Sequence, residues 1–119
     1  MIVGQGTEKT MDPLRRRLWS ALRCRREAEL LPGGTGAYYE AAAEAERREE
    51  ELERLIEALP NSLDRVLLRL RYGQGLPWSR IRAELDGVGC CYSERQLYRL
   101  HAGALARAEA LLREEDRER

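Results

Sequence analysis

Residues 92–105 read YSERQLYRLHAGAL. Leu97, Leu100, Ala104 and Leu105 fall on one stripe at helical spacing, while Glu94, Arg95, Gln96, Tyr98 and Arg99 crowd the opposite side near the start. Ser93 and Gln96 make an S-x-x-Q capping box, in which each side chain satisfies a backbone N–H of the other residue. The stretch predicts a helix that opens at Ser93 and runs to about Leu112, with one face to pack and one polar face whose purpose is to be assigned.

Working back towards the amino end, Trp78, Ile81 and Leu85 at i, i+3 and i+7 mark a short helix beginning near Pro77. Asp86-Gly87 stops it and Gly89 extends the loop. Before it, Asn61 with Asp64 three residues later imitates a capping box, Leu63, Val66, Leu67 and Leu70 form an apolar stripe, and Gly73 suits the left-handed position after a helix. Pro60 closes a longer helix over about Ala37 to Leu59, whose alanine-rich first half leads into Leu52, Leu55, Ile56 and Leu59 on one face. Pro32-Gly33-Gly34-Thr35-Gly36 is the clearest linker. Ahead of it Leu14, Leu18 and Leu22 recur every fourth residue beside Trp19 and Ala21, and Asp12-Pro13 supplies an N-cap followed by proline at the first helical position. Residues 1–11 show no periodicity and read as a loose, flexible arm. The chain thus divides into that arm, an N-terminal helical extension over 12–59 broken at 32–36, a three-helix bundle over 60–112 and a charged tail over 113–119. The two helices of the extension form an antiparallel hairpin, or pair with another chain as a coiled coil.

Composition supports this all-α reading. The 119 residues suit one core. There is no Phe and few β-branched residues, whereas Ala, Leu, Glu and Arg abound, which favours helix over sheet. No apolar run approaches the ~20 residues that span a bilayer, and the opening MIVGQGTEK has neither a charged n-region nor an apolar h-region. No membrane association and a cytoplasmic location are expected. Cys24, Cys90 and Cys91 are then free thiols. With His101 they lack the C-x-x-C spacing of a zinc site, so no metal and no cofactor are expected. His101 reads as a packed or hydrogen-bonded histidine. No G-K-[ST] loop, catalytic triad or carboxylate pair is recognisable, which argues against an enzyme.

The net charge of zero conceals a segregated pattern. Residues 12–31 carry six arginines against three acids, 37–60 carry eight glutamates against three arginines, and 61–112 carry eight arginines against five acids. The acidic run suits a solvated helix face, and the two basic segments around it are compatible with nucleic-acid binding by part of the chain.

Three closely spaced helices, the last two joined by a glycine-bearing turn, are the elements of a helix-turn-helix unit, whose last helix enters the major groove by its N-terminal residues. In that frame Leu97, Leu100, Ala104 and Leu105 anchor the helix, leaving Ser93, Glu94, Arg95, Gln96, Tyr98 and Arg99 for DNA. Arginine holds guanine bidentately, glutamine holds adenine, and glutamate accepts from cytosine. Arg80 and Arg82, on the supporting helix that crosses the backbone, are the expected phosphate contacts.

LPNSLDRVLLRLRYGQGLPWSRIRAEL, followed by YSERQLYRLHAGALARAEALL, resembles region 4 of sigma-70-type factors in the variant carried by small phage and prophage regulators of the RinA and ArpU late-gene activator type. The resemblance covers residues 59–112, and 12–58 in layout only. It implies that Ser93 is the capping residue, that Glu94, Arg95, Gln96, Tyr98 and Arg99 face bases and phosphates, and that Trp78 and Ile81 are core residues of the supporting helix. Pro77 departs from the serine or threonine usual there, and Asp86 to Tyr92 is a longer turn than the family's. The implied protein is a double-stranded-DNA-binding transcription regulator whose N-terminal helices form a homodimer or contact RNA polymerase. Two other readings compete: a small terminase-like packaging component, and a helical interaction adaptor that does not bind DNA.

Overall fold

The computed structural model describes residues 2–118, with side chains described for 13–118. Five α-helices and no strand occur among the described residues: α1 Ile2–Glu29, α2 Gly36–Ala58, α3 Ser62–Leu68, α4 Trp78–Gly87 and α5 Glu94–Glu118. A single π-helical turn, Arg69–Gly73, continues α3. No helix among the described residues is long and apolar enough to cross a membrane. The chain divides into two compact units, Met1–Glu49 and Glu50–Arg119.

In the first unit, α1 passes through Asp12-Pro13, with Pro13 inside it, where the sequence suggested a start. Proline removes one backbone donor and crowds the preceding turn, but the helix runs on through it. The expected arm over 1–11 falls on residues whose side chains lie outside the described ones. Leu14, Leu18, Ala21, Leu22 and Ala28 are buried, which matches the four-residue leucine spacing. Thr35 caps α2: its Oγ1 accepts the Tyr38 N–H at 3.2 Å and donates to the Pro32 carbonyl at 2.8 Å. Gly34 takes the left-handed conformation in the linker, at φ 82°. The guanidinium of Arg25 in α1 donates to Glu49 in α2 at 2.9 Å.

In the second unit, α3 and α4 both pack on α5. Leu67 from α3, Ile81 and Leu85 from α4 and Leu97 from α5 form its buried centre, with Leu63, Leu70, Leu76 and Leu100 against it. Burial of each such side chain contributes about 1.5–3 kcal/mol. Asn61 caps α3 as its type predicts, accepting the N–H groups of Leu63 and Asp64. Asp64, however, does not return the capping bond. It is 2% exposed and accepts both Nε and Nη2 of Arg107 on α5, at 2.5 and 2.9 Å. That hydrogen bonding raises the Arg107 guanidinium further above its ordinary range.

Further differences have local causes. Leu68, not Val66, joins the buried set, because Asp64, Leu67 and Leu68 lie at i, i+3 and i+4 on the inner face of α3. Gln74 N–H reaches back five residues to the Arg69 carbonyl at 2.9 Å, so the left-handed residue is Gly75, at φ 71°, rather than Gly73. α4 runs through Gly87. Gly89 N–H then bonds the Asp86 carbonyl and Cys90 N–H the Leu85 carbonyl, with Gly89 at φ 86°. This is a Schellman closure, and the Cys90–Leu85 apolar contact that accompanies it places Cys90 against the core. The seven-residue turn expected over 86–92 is therefore a capped helix end followed by a short link to Ser93. At the far end α5 reaches Glu118, incorporating most of the expected tail, where Arg113 and Glu109 make an i,i+4 pair at 2.6 Å.

Gly103 lies under the Arg107 guanidinium: a Cβ there would sit 2.9 Å from Nη2. Gly103→Ala should therefore gain less in wild type, where the Arg107 guanidinium must shift against Asp64, than the about 1 kcal/mol of helix propensity expected in an Arg107→Ala background. Arg107→Ala alone should lose about 1–3 kcal/mol, from leaving a buried carboxylate without its partner. Urea denaturation of the four chains tests both numbers, and strict additivity would contradict the geometry.

Candidate nucleic-acid interface

The amino end of α5 is built by its cap. Ser93 N–H donates to Gln96 Oε1 at 2.8 Å and Gln96 N–H donates to Ser93 Oγ at 3.2 Å, the reciprocal bonds of the capping box. Donors of the first turn not used in this way point outward at the positive end of the helix dipole. Leu97, Ala104, Leu105 and Ala108 are buried. Ser93, Glu94, Arg95, Gln96, Tyr98 and Arg99 are exposed, as are Arg80 and Arg82 on α4. The eight residues expected to meet a ligand therefore all lie at the surface of this unit.

They are not equivalent. Ser93 and Gln96 are engaged with each other. Tyr98 lies edge-on to Trp78, ring centroids 5.4 Å apart, and Arg80 pairs with Glu84 at 3.1 Å. Of the described arginines from residue 50 onward, Arg65 donates to the Leu59 carbonyl, Arg69 to Glu53, Arg71 to the Leu76 carbonyl, Arg107 to Asp64 and Arg113 to Glu109. Arg54 makes a long bond to the Glu50 carbonyl. Arg82, Arg95 and Arg99 hold no partner, and Arg117 in the last turn of α5 is alike in this. Three of these four unpaired cations belong to α4 and the first turns of α5.

Behind this surface stands an aromatic cluster that the sequence did not disclose. Tyr72, 1% exposed, shares a 2.7 Å hydrogen bond with His101 Nε2. His101 packs edge-on to Trp78 at 4.8 Å, and the Arg71 guanidinium covers the Trp78 ring at 5.0 Å. Trp78 is thus half-buried and joins the core to Tyr98, whereas Ile81 is fully enclosed. The signal that could have found Tyr72 was its four-residue spacing from Leu68. His101 is packed and hydrogen-bonded, as its position beside Leu100 suggested.

Among the described residues no group of three or more His, Cys, Asp or Glu converges on a metal position, and Cys24, Cys90 and Cys91 are free. Compared with family models, curated proteins and solved structures, the chain matches none.

The Tyr72–His101 bond should be worth measuring directly. Tyr72→Phe, which keeps the ring but removes the hydroxyl, should lower unfolding free energy in urea by about 1–2 kcal/mol. A change near zero would mean that the imidazole finds another partner.

Proposed function

We propose that this chain is a sequence-specific, double-stranded-DNA-binding transcription regulator, of the small phage and prophage kind that its residues 59–112 resemble. In this reading α4, the link from Val88 to Ser93 and α5 act as a helix-turn-helix. The first two turns of α5 enter the major groove and α4 crosses the phosphate backbone. The N-terminal helices pair with a second copy or contact RNA polymerase.

The observation that carries the proposal is the partition of arginines. Most arginines of residues 50–118 are held by carboxylates or carbonyls of the protein itself, while Arg82, Arg95 and Arg99 are exposed and unpaired beside a capped helix amino end. A guanidinium left without an internal partner is ready to meet phosphate or a guanine edge without first breaking a bond. Net neutrality of the whole chain does not oppose this. Screening limits the influence of distant acids to about 10 Å at ordinary ionic strength.

The test is binding of the full chain to duplex DNA as a function of salt. Affinity should fall steeply as salt rises, and Arg82→Ala, removing a phosphate contact, should reduce the log–log salt slope by about one. Arg95→Ala and Arg99→Ala should each weaken binding to a preferred site by about 1–3 kcal/mol, whereas Arg54→Ala should not. No retained duplex from a random library at low salt would count against the reading and leave the interaction adaptor in its place.

A further inference from the structure

The exposed end of α5 contains residues already engaged by the fold and residues that are not, and the difference names the kind of duplex. An amide reads adenine with both its atoms, the oxygen accepting from N6 and the nitrogen donating to N7. Gln96 Oε1 already accepts the Ser93 N–H at 2.8 Å. One of that oxygen's two lone pairs is thereby taken and the amide is tied to the cap, so Gln96 is less free than an unengaged side chain to turn both atoms onto an adenine edge. Tyr98 is drawn sideways against Trp78, which holds its ring towards α4 rather than along the helix axis.

Arg95 and Arg99 have neither restriction. Both are exposed. They stand four residues apart, on one face and about 6 Å from each other along the axis. With base pairs about 3.4 Å apart, that separation corresponds to one or two steps, depending on the tilt of the helix in the groove. Each guanidinium offers two parallel donors matched to guanine O6 and N7.

We infer that the chain selects duplex DNA carrying two guanines that are adjacent or separated by one base pair, with Arg95 and Arg99 each holding one, and that Gln96 sets no adenine preference. This rests on the DNA-binding reading above and narrows it to a substrate class.

The experiment begins with selection by the full chain from a randomised double-stranded library, followed by affinity measurements on the selected duplex with 7-deazaguanine, which lacks the N7 acceptor, replacing each guanine in turn. Wild type should lose roughly five- to hundredfold in affinity at two guanines. Arg95→Ala should become insensitive to one replacement and Arg99→Ala to the other, since alanine offers guanine no donor. Gln96→Glu keeps the capping oxygen. It should weaken all duplexes by a similar factor and select the same sites. Thermal unfolding of each variant, followed by circular dichroism, confirms that the helices remain. Selected sites without the guanine pair, an adenine preference that vanishes in Gln96→Glu, or alanine variants with wild-type sensitivity to 7-deazaguanine would each overturn the inference while leaving DNA binding intact. Failure to retain any duplex would overturn both.

Discussion

The second unit depends on one buried carboxylate. Asp64 is enclosed in a core built mainly from leucine, isoleucine and alanine with Tyr72, and a polar group there is tolerable only when its hydrogen bonds are made inside the protein. Arg107 makes two of them, which fixes where α3 lies along α5. Eight residues separate Asp64 from Tyr72, and six separate His101 from Arg107. Both pairs meet, so the two antiparallel paths must cover similar distances, although unbroken α-helix would climb about 12 Å on one side and 9 Å on the other. The π turn over Arg69–Gly73, with its wider i→i+5 closure, takes up part of that mismatch. Tyr72 then arrives opposite His101, and through Trp78 the register of the core is passed to Tyr98 at the surface.

α5 consequently performs two tasks at once. From Leu97 onward its inner stripe supplies the core, while Arg95 and Arg99 stand on the side that α3 and α4 leave open. The capping box separates these tasks, since it sets the helix start with Ser93 and Gln96 and so determines which side chains fall outward. Slipping α5 by one residue against α3 and α4 would turn its faces by about 100°, given 3.6 residues per turn. Leu97 would lose its place against Ile81 and Leu85.

Much of this was legible in the sequence, and the legible parts share a property: they are local. The caps at Asn61 and Ser93, the break at 32–36 and the start of α4 after Pro77 follow from side-chain chemistry within three or four residues. What escaped the sequence depends on distant partners or on closely matched local choices. Asp64 suits a capping box or a buried ion pair equally well, and its partner lies 43 residues away. Gly87 and Gly89 both suit a helix end; the choice falls on Gly89 because Cys90 can then rest on Leu85. Gly103 looks like a weakness within α5 until the guanidinium lying over it is seen. At the candidate interface, sequence identified exposed residues but could not distinguish Gln96 and Arg80, which have internal partners, from Arg95 and Arg99, which do not.

The same distinction explains how a chain of zero net charge can present a cationic surface. Several of its acids are answered by nearby bases: Glu44 by Arg48 and Arg47, Glu49 by Arg25, Glu53 by Arg69 and Asp64 by Arg107. The Arg48 hydrogen bond holds Glu44 below the ordinary carboxylate range, opposed by desolvation and assisted by the charges of Arg47 and Arg48. An acid already matched in this way contributes little field beyond its own pair. The field that an approaching polyanion meets is set by the charges left over, and on α4 and the first turns of α5 these are Arg82, Arg95 and Arg99 against Asp86 and Glu94. Counting charges along the chain weights every residue equally, whereas the pairs and the placement of the remaining charges leave a short stretch with Arg82, Arg95 and Arg99 beside a helix amino end. A neutral composition is therefore compatible with strong local attraction for phosphate, provided that the pairs stay closed.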